Sequence, residues 1–480
     1  MSSTIWAVVD WLNQLVLGYF LALNTGYLVS SLAAFHALRR YTRRLRALDL
    51  SDLLASAGMP PITLVAPAYN EEATCVDAIR SLLMLSYAEF EVIVVNDGSC
   101  DGTLGRLRAA FELVPANRLA SGTLPTAAIA QVYRSPVYQN LWVIDKANGG
   151  KADALNAGLN YTRTPLFCAI DADSLLERDA LTRIVRPFLE DRNTVAAGGI
   201  IRIANGCVVQ DGNVISIGLP AELLPRLQVL EYLRAFLAGR MGWEAINSTL
   251  IISGAFGVFR RDVVLGAGGY ATDTVGEDME LVVRLHRYCR ERKMPYRIAF
   301  VPDPVAWTEC PSSIAVLRRQ RDRWQRGLIE SLTRHRVMLF NPRYGRIGLL
   351  AFPFFFFLEM LGPAIELAGY LAFMVTVVAG RASGTYVAAF LVMAFVLGTT
   401  LSVAAVALEE LSFHRYPKTR DLVNLIWLGV VENFGYRQLT IAWRLGGTLS
   451  ALRGKQGWGR MERQGFASAA TPQARPSTGA

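Results

Sequence analysis

Two long apolar runs without a formal charge bracket a chain whose middle is charged, and this arrangement limits the fold more than any other feature. Leu15 to Phe35 carries Asn24 but no Asp, Glu, Lys or Arg, and Thr385 to Leu408 is equally free of charge. A helix needs about 20 apolar residues to cross hydrocarbon, so both runs predict membrane spans. No basic residue precedes the first run, whereas Arg39, Arg40, Arg43, Arg44 and Arg46 follow it. The positive-inside rule then puts the N-terminus outside and the following segment in the cytosol. A cleaved signal peptide fits less well, because the charge lies on the wrong side and no small-residue cleavage site follows.

Composition agrees with a membrane-tethered globular domain. Of 480 residues, 52% are hydrophobic and only 19% charged. The formal net charge of +9 could mean nucleic acid, but no RNA- or DNA-binding module is present. Anionic headgroups and a phosphorylated substrate account for it better. The six cysteines show neither CxxC nor zinc spacing and read as reduced structural thiols.

Four regions follow: residues 1–45 as an anchor, 60–335 as a globular domain, 345–450 as a second membrane region, and 464–480 as a small, polar, disordered tail. Ile62–Ala66 and Glu91–Val95 are β-branched runs separated by a helical period over Glu71–Leu85. That is a βαβ unit, which predicts a parallel, Rossmann-like α/β sheet. Leu141–Ile144 and Leu166–Ile170 read as further strands around a helix over Lys151–Leu159. Residues 113–140 read as an insertion or loop, and Leu223–Ala245 as an amphipathic helix. Ile347–Gly380 is too long for one straight crossing, with Pro353 and Pro363 expected to break it. Glu359 and Glu366 should face a bundle interior or a polar path, with internal salt bridging as the plainer reading. Leu422–Leu445 contains Glu432, Arg437 and Arg444 and reads as a span, a re-entrant helix or an interfacial one. Arg453, Lys455, Arg460 and Arg463 then argue for a cytosolic C-terminus.

The chemistry lies in a set of acids and one basic helix. Asp97 (VVNDGS) and Asp171 (AIDADS) each end an apolar run, and ligands bind outside the carboxyl ends of strands in such sheets. Asp171 and Asp173 at i and i+2 of an extended segment would share a face. Two carboxylates there suit a hard divalent ion, Mg²⁺ or Mn²⁺, bound to a diphosphate; capping of the next helix is the blander alternative. Asp278 in GED opens a predicted helix, where it can act as a general base or merely as a cap, and Glu277 is the second choice for the base. Gln320, Arg323 and Trp324 fall on one helical face. Arg323 suits a diphosphate and Trp324 a sugar ring, while an interfacial helix with arginines on headgroups is the competing view. Tyr69, at the end of the first strand, can stack on a base. Lys151 can approach the donor phosphates or remain a solvated lysine. His286 reads as structural.

The ordered motifs APAYNEE (66–72), VNDGSCDGT (95–103), GGKADALN (149–156), DAD (171–173), SGAFGVFRR (253–261), GED (276–278) and QRDRW (320–324) resemble those of processive family 2 glycosyltransferases such as cellulose, hyaluronan and poly-N-acetylglucosamine synthases. The resemblance spans Ile62 to about Arg444 and departs at Gly276, where the family usually has Thr. It implies a GT-A-type domain inserted between transmembrane helices. It implies a UDP-sugar donor bound by Tyr69, Glu71, Asp97, Lys151, Asp171 and Arg323, with Asp97 accepting the uracil N3–H. Gln320 and Trp324 would face the acceptor, the end of a β-linked polysaccharide, and transfer would invert the anomeric centre in a single displacement. The expected setting is the inner (cell) membrane, multi-pass, with a cytosolic catalytic domain, lipid contacts, no nucleic acid, and accessory export subunits among the candidate partners. A non-processive lipid glycosyltransferase and a catalytically silent export subunit are the alternatives.

Overall fold

The computed structural model describes residues 3–47, 58–172, 174–210, 212–454 and 457. Asp173, Lys455, Arg460, Arg463 and the 464–480 tail lie outside the described residues.

The globular domain is built on strands β1 (Ile62–Ala68), β2 (Phe90–Asp97), β3 (Val114–Pro115), β4 (Ile129–Arg134), β5 (Leu141–Lys146), β6 (Leu166–Ile170), β7 (Leu175–Leu176) and β8 (Thr194–Ile203). A small hairpin, β9 (Val208–Gln210) and β10 (Asn213–Ser216), precedes β11 (Phe256–Arg260) and β12 (Arg297–Thr308). All but the hairpin form one sheet in the order β3-β4-β5-β2-β1-β6-β11-β8-β12-β7. The central strands β5, β2, β1 and β6 run parallel, while β11 lies antiparallel between β6 and β8.

Side chains of the central strands are buried on both faces, as parallel strands covered by helices require. Leu64, Val92 and Val94 point into one core, and Val65, Ile93 and Val95 into the other, the period of two expected of a strand. After β1 the chain moves to β2 on one side and later returns to β6 on the other. The β1–β6 crevice is therefore the point where the winding reverses, the usual ligand site of such sheets.

Several sequence expectations need correction. The helix expected from Glu71 begins at Cys75, because Thr74 and Cys75 donate to the Glu71 carbonyl and form a turn first. Residues 113–140 are not all loop: β4 pairs antiparallel with β5, and β3 with β4. Asp171 does not continue an extended segment, since β6 ends at Ile170 and the Ser174 amide donates to the Asp171 carbonyl at 3.0 Å. The face-sharing argument for the DAD motif therefore does not hold at Asp171.

Among the described residues, two helices are long and apolar enough to cross a membrane, Thr4–Leu45 and Gly384–Ser412. A third crossing would come from Ile347–Met360 and Gly362–Val378, which meet at 46°. This break falls at Leu361, just before Pro363, whereas Pro353 sits within the helical run without breaking it. Widened turns flank Pro353 and absorb its missing N–H. Leu422–Leu445 is not one straight span: Thr419–Val431 and Tyr436–Leu452 are separate helices joined at Gly435, where φ is 101°.

The N-terminal helix continues well past its apolar run. It runs unbroken from Ser3 to Ala47 and docks on the globular domain, where the Tyr41 hydroxyl donates to Asp303 at 2.9 Å.

Candidate active site

The ends of β1, β2 and β6 open into one cleft of ≈ 1920 Å³. Tyr69 follows β1 with 49% of its surface exposed, its ring free to stack. Its loop is fastened to the loop after β2. The Asn70 amide donates to Ser99 Oγ, the Cys100 amide to Asn70 Oδ1, and the Glu72 amide to Asp101. Asn70 adopts a φ of 55°, which Asn tolerates better than most side chains. Glu71 lines the same wall and accepts from the Thr74 hydroxyl at 2.9 Å.

Asp97 closes β2 and is almost fully buried. Its carboxylate accepts from Lys146 Nζ at 2.5 Å, from the Gly149 and Gly150 amides at 3.0 and 2.8 Å, and from Asn148 Nδ2 at 3.3 Å. A carboxylate has about four acceptor sites, so these donors engage all of them. Asp97 therefore holds the Gly149-Gly150-Lys151 loop against the cleft, in addition to any contact it makes with a ligand. Gly98 (φ 66°) passes so close that a Cβ there would lie 2.7 Å from the Asn148 nitrogen.

Sequence reading missed Lys146. It is wholly buried, bridging Asp97 and Asp153 at 2.5 and 2.6 Å. The only sequence signal was a charged pair, Asp145-Lys146, closing an otherwise apolar strand.

Lys151 begins the helix Lys151–Tyr161 and reaches Asp171 Oδ1 at 2.5 Å and Glu277 Oε1 at 3.5 Å. Burial alone would push its pKa down, but Asp171, Glu277 and Asp278 outweigh that and hold it above its ordinary value. Glu277 is buried, and burial pushes its carboxyl up to about 7 against the pull of Lys151. Asp278 is half-buried on the cleft wall. Its Oδ2 accepts from the Gly254 amide at 3.0 Å and its Oδ1 from the Met279 amide at 2.8 Å. The helix Glu277–Glu291 thus starts at the GED motif, as expected.

Gln320, Arg323 and Trp324 lie on the helix Ile314–Arg334 and line the opposite wall. The Ser313 side chain caps this helix by accepting from the Val316 amide. Trp324 sits 6.3 Å from the Phe236 ring, with the Arg321 guanidinium over its face at 4.3 Å. Arg321 and Arg326 turn inward to Glu231 and Asp322 rather than outward to headgroups. The two glycines Gly276 and Gly327 bring this wall against the Glu277-Asp278 turn, since a Cβ on Gly276 would lie 2.7 Å from Gly327 Cα.

Arg240 also went unseen in the sequence. It lies buried over the Phe236 ring at 4.2 Å, and its Nη1 has no hydrogen-bond partner. Burial pushes its pKa down to about 10, with Asp278 pulling it back up.

His286 is wholly buried and stands between the Thr249 carbonyl and the Tyr296 hydroxyl. Among the described residues, no group of three or more His, Cys, Asp and Glu side chains converges as a metal site.

The cleft continues past Trp324 to Tyr27, Glu359 and Glu366 on the candidate membrane helices, and to Arg437 and Arg444 on the helix Tyr436–Leu452. Glu359 and Arg444 pair at 3.5 Å, and Tyr19 donates to Glu366 at 3.3 Å. Glu359 is thus salt-bridged and Glu366 hydrogen-bonded, and both line the same space.

A Rossmann-like sheet with this acid-lined cleft at its carboxyl edge is the GT-A architecture. Residues 60–327 match the family model described as glycosyltransferase like family 2, and the chain belongs to that family. Poly-β-1,6-N-acetyl-D-glucosamine synthases of Staphylococcus aureus and Staphylococcus epidermidis are each 27% identical over 274 residues, which is 57% of this chain and 56% of theirs. The match thus spans little more than half of those relatives. A mannosyltransferase from Pyrobaculum calidifontis, solved with GDP-mannose and Mn²⁺, superposes with a TM-score of 0.52 at 19% identity, over 90% of this chain and all of its own. That likeness shows the shared fold.

Proposed function

We propose that this protein is a membrane-bound, inverting, processive glycosyltransferase that passes a sugar from a UDP-sugar to the end of a growing β-linked polysaccharide. The observation that carries the reading is the continuity of the cleft. The acids at the strand ends, the Trp324 wall and the polar side chains of the membrane helices line one space, so a chain extended at Asp278 has a path toward the bilayer.

In this reading Tyr69 and the Asp97-ordered loop hold the nucleotide, and Asp97 would take the uracil N3–H in exchange for its longest present bond, from Asn148 Nδ2 at 3.3 Å. Lys151 and Arg323 face the diphosphate, where charge-assisted donors bind strongly. Trp324 and Gln320 hold the acceptor sugar. Asp278, aligned by the Gly254 and Met279 amides, accepts the proton of the acceptor hydroxyl as its oxygen bonds to the anomeric carbon. The bond to UDP breaks on the opposite face, so the configuration inverts.

Asp171 faces the cleft and already attracts a cation, the Lys151 ammonium. Its hard oxygen donors fit Mg²⁺ or Mn²⁺. With Asp173 it would hold such an ion, which would offset charge on the leaving diphosphate.

The names of the relatives make UDP-N-acetylglucosamine the first donor to try. Purified full-length protein is incubated with a panel of UDP-sugars, reading released UDP and product length on a gel. One donor should release UDP, yield long polymer and lose both in EDTA. Short glycolipid products would instead indicate lipid glycosylation, and no UDP release with any donor would indicate a silent export subunit.

A further inference from the structure

Away from the cleft, a second cavity of ≈ 600 Å³ opens between the cytosolic part of the N-terminal helix and the globular domain. Its size falls in the range of small-ligand sites, about 300–1,000 Å³. The geometry points to a binding site for a phosphate group here, that of an anionic phospholipid head.

The first argument is charge. Six arginines line the cavity, Arg40, Arg44, Arg186, Arg290, Arg297 and Arg346, against three acids, Glu190, Asp191 and Glu244. The acids are already engaged. Glu244 pairs with Arg297 at 2.8 Å, Glu190 lies 3.6 Å from Arg186, and Asp191 accepts from the Asn193 amide at 2.9 Å. Arg40, Arg44 and Arg346 are exposed and make no ion pair among the described residues. Arg186 is 5% exposed, and its Nη1 has no hydrogen-bond partner, while its Nη2 donates to Tyr41 in the same wall. A buried, incompletely bonded guanidinium is costly unless an anion or water completes it.

The second argument is position. Arg40 and Arg44 are one helical turn apart and share a face, just past the apolar run that ends at Phe35. Arg346 immediately precedes the apolar segment Ile347–Ala351. Both sides of the cavity therefore stand where an apolar segment meets charge, the depth of phosphate groups on a cytosolic leaflet. The inference does not need the donor or acceptor assignments, only the reading of Ser3–Ala47 as a membrane helix.

Full-length protein in a non-ionic detergent is titrated with short-chain phosphatidylglycerol, short-chain phosphatidylcholine and inorganic phosphate, reading the midpoint of thermal unfolding. Phosphatidylglycerol should raise the midpoint saturably and phosphatidylcholine should not. A triple variant, Arg40→Gln, Arg44→Gln and Arg346→Gln, should bind phosphatidylglycerol at least about tenfold more weakly, given the attraction of each basic group for anionic lipid. Arg39→Gln, Arg43→Gln and Arg343→Gln remove equal charge outside the cavity and should bind as wild type. If the first triple variant does not fold, Arg346→Gln alone carries the comparison. Competition by inorganic phosphate would assign the site to the free anion as well, whereas no response to phosphate would restrict it to the lipid. Equal weakening in both triple variants, or in neither, would overturn the site.

Discussion

Asp278 and Glu277 are adjacent in the chain yet live in different surroundings. Glu277 is buried against Lys151 and titrates near 7, whereas Asp278 stands on the open wall with two backbone amides orienting it. In the proposed mechanism Asp278, the better exposed and oriented of the two, takes the proton. Asp278→Asn should lower turnover by about 10²–10⁴-fold, the range for a lost general base, while the UDP-sugar Kd measured by calorimetry stays put. An equal loss of binding would make the residue structural. A second expectation concerns His286, whose pKa burial pushes down to about 4. The unfolded chain takes up that proton near 6.5, so the folded state loses stability as pH falls from 6.5 toward 4, by up to about 3 kcal/mol. Thermal unfolding across that window should show the slope, and His286→Gln should flatten it. The acids themselves were legible because each stands in a short motif at a strand or helix end. Their partners were not. Lys146 reads as a surface lysine until Asp97 and Asp153 are seen facing it, and Arg240 is an ordinary helical arginine until Phe236 and Asp278 lie beside it.

Among the elements, the helix Ile314–Arg334 depends on its contact with the turn before Glu277. Gly276 and Gly327 touch backbone to backbone, which sets how far Arg323 and Trp324 stand from Asp278. Replacing a helical glycine by alanine ordinarily gains about 1 kcal/mol. Gly327→Ala should do the opposite, costing about 1–3 kcal/mol by overpacking and displacing the acceptor wall. Because a shift of about 1 Å can cost 10²-fold in rate, kcat should fall further than the unfolding midpoint suggests. An alanine variant with normal kcat and a raised midpoint would show that the helix can retreat freely. Strands with strong apolar runs, β1, β2, β5 and β6, were legible, as was the helix at Glu277. The strand β4 was not, because IAQVYR is short, half-exposed and preceded by a stretch with no period. The turn at Asp171 was also hidden, since an acid one residue past a strand looks the same whether the chain runs on or bends.

At the scale of the molecule, the catalytic sheet and the membrane helices are joined by buried charge. Arg202 on β8 meets Glu409 on the helix Leu397–Ser412 at 2.6 Å, both side chains almost fully buried. Removing one partner strands the other, so Glu409→Gln should destabilise the protein by about 3–5 kcal/mol, whereas the apolar pair Arg202→Met with Glu409→Leu should recover much of the loss. Unfolding midpoints in detergent would check both, and a single variant as stable as wild type would show that the pair carries no load. The bracketing apolar runs announced this two-part layout, but Arg202 and Glu409 are 207 residues apart, and nothing local marks such a pair. The N-terminal helix adds a different kind of coupling. At about 1.5 Å per residue, Ser3–Ala47 is a rod roughly twice as long as hydrocarbon is thick, with no hinge between bilayer and enzyme. A bilayer that is too thin or too thick is usually met by tilt, and here tilt cannot be absorbed at a joint. In the proposed membrane setting it would swing the whole globular domain, and lipid thickness would become a mechanical input to the enzyme.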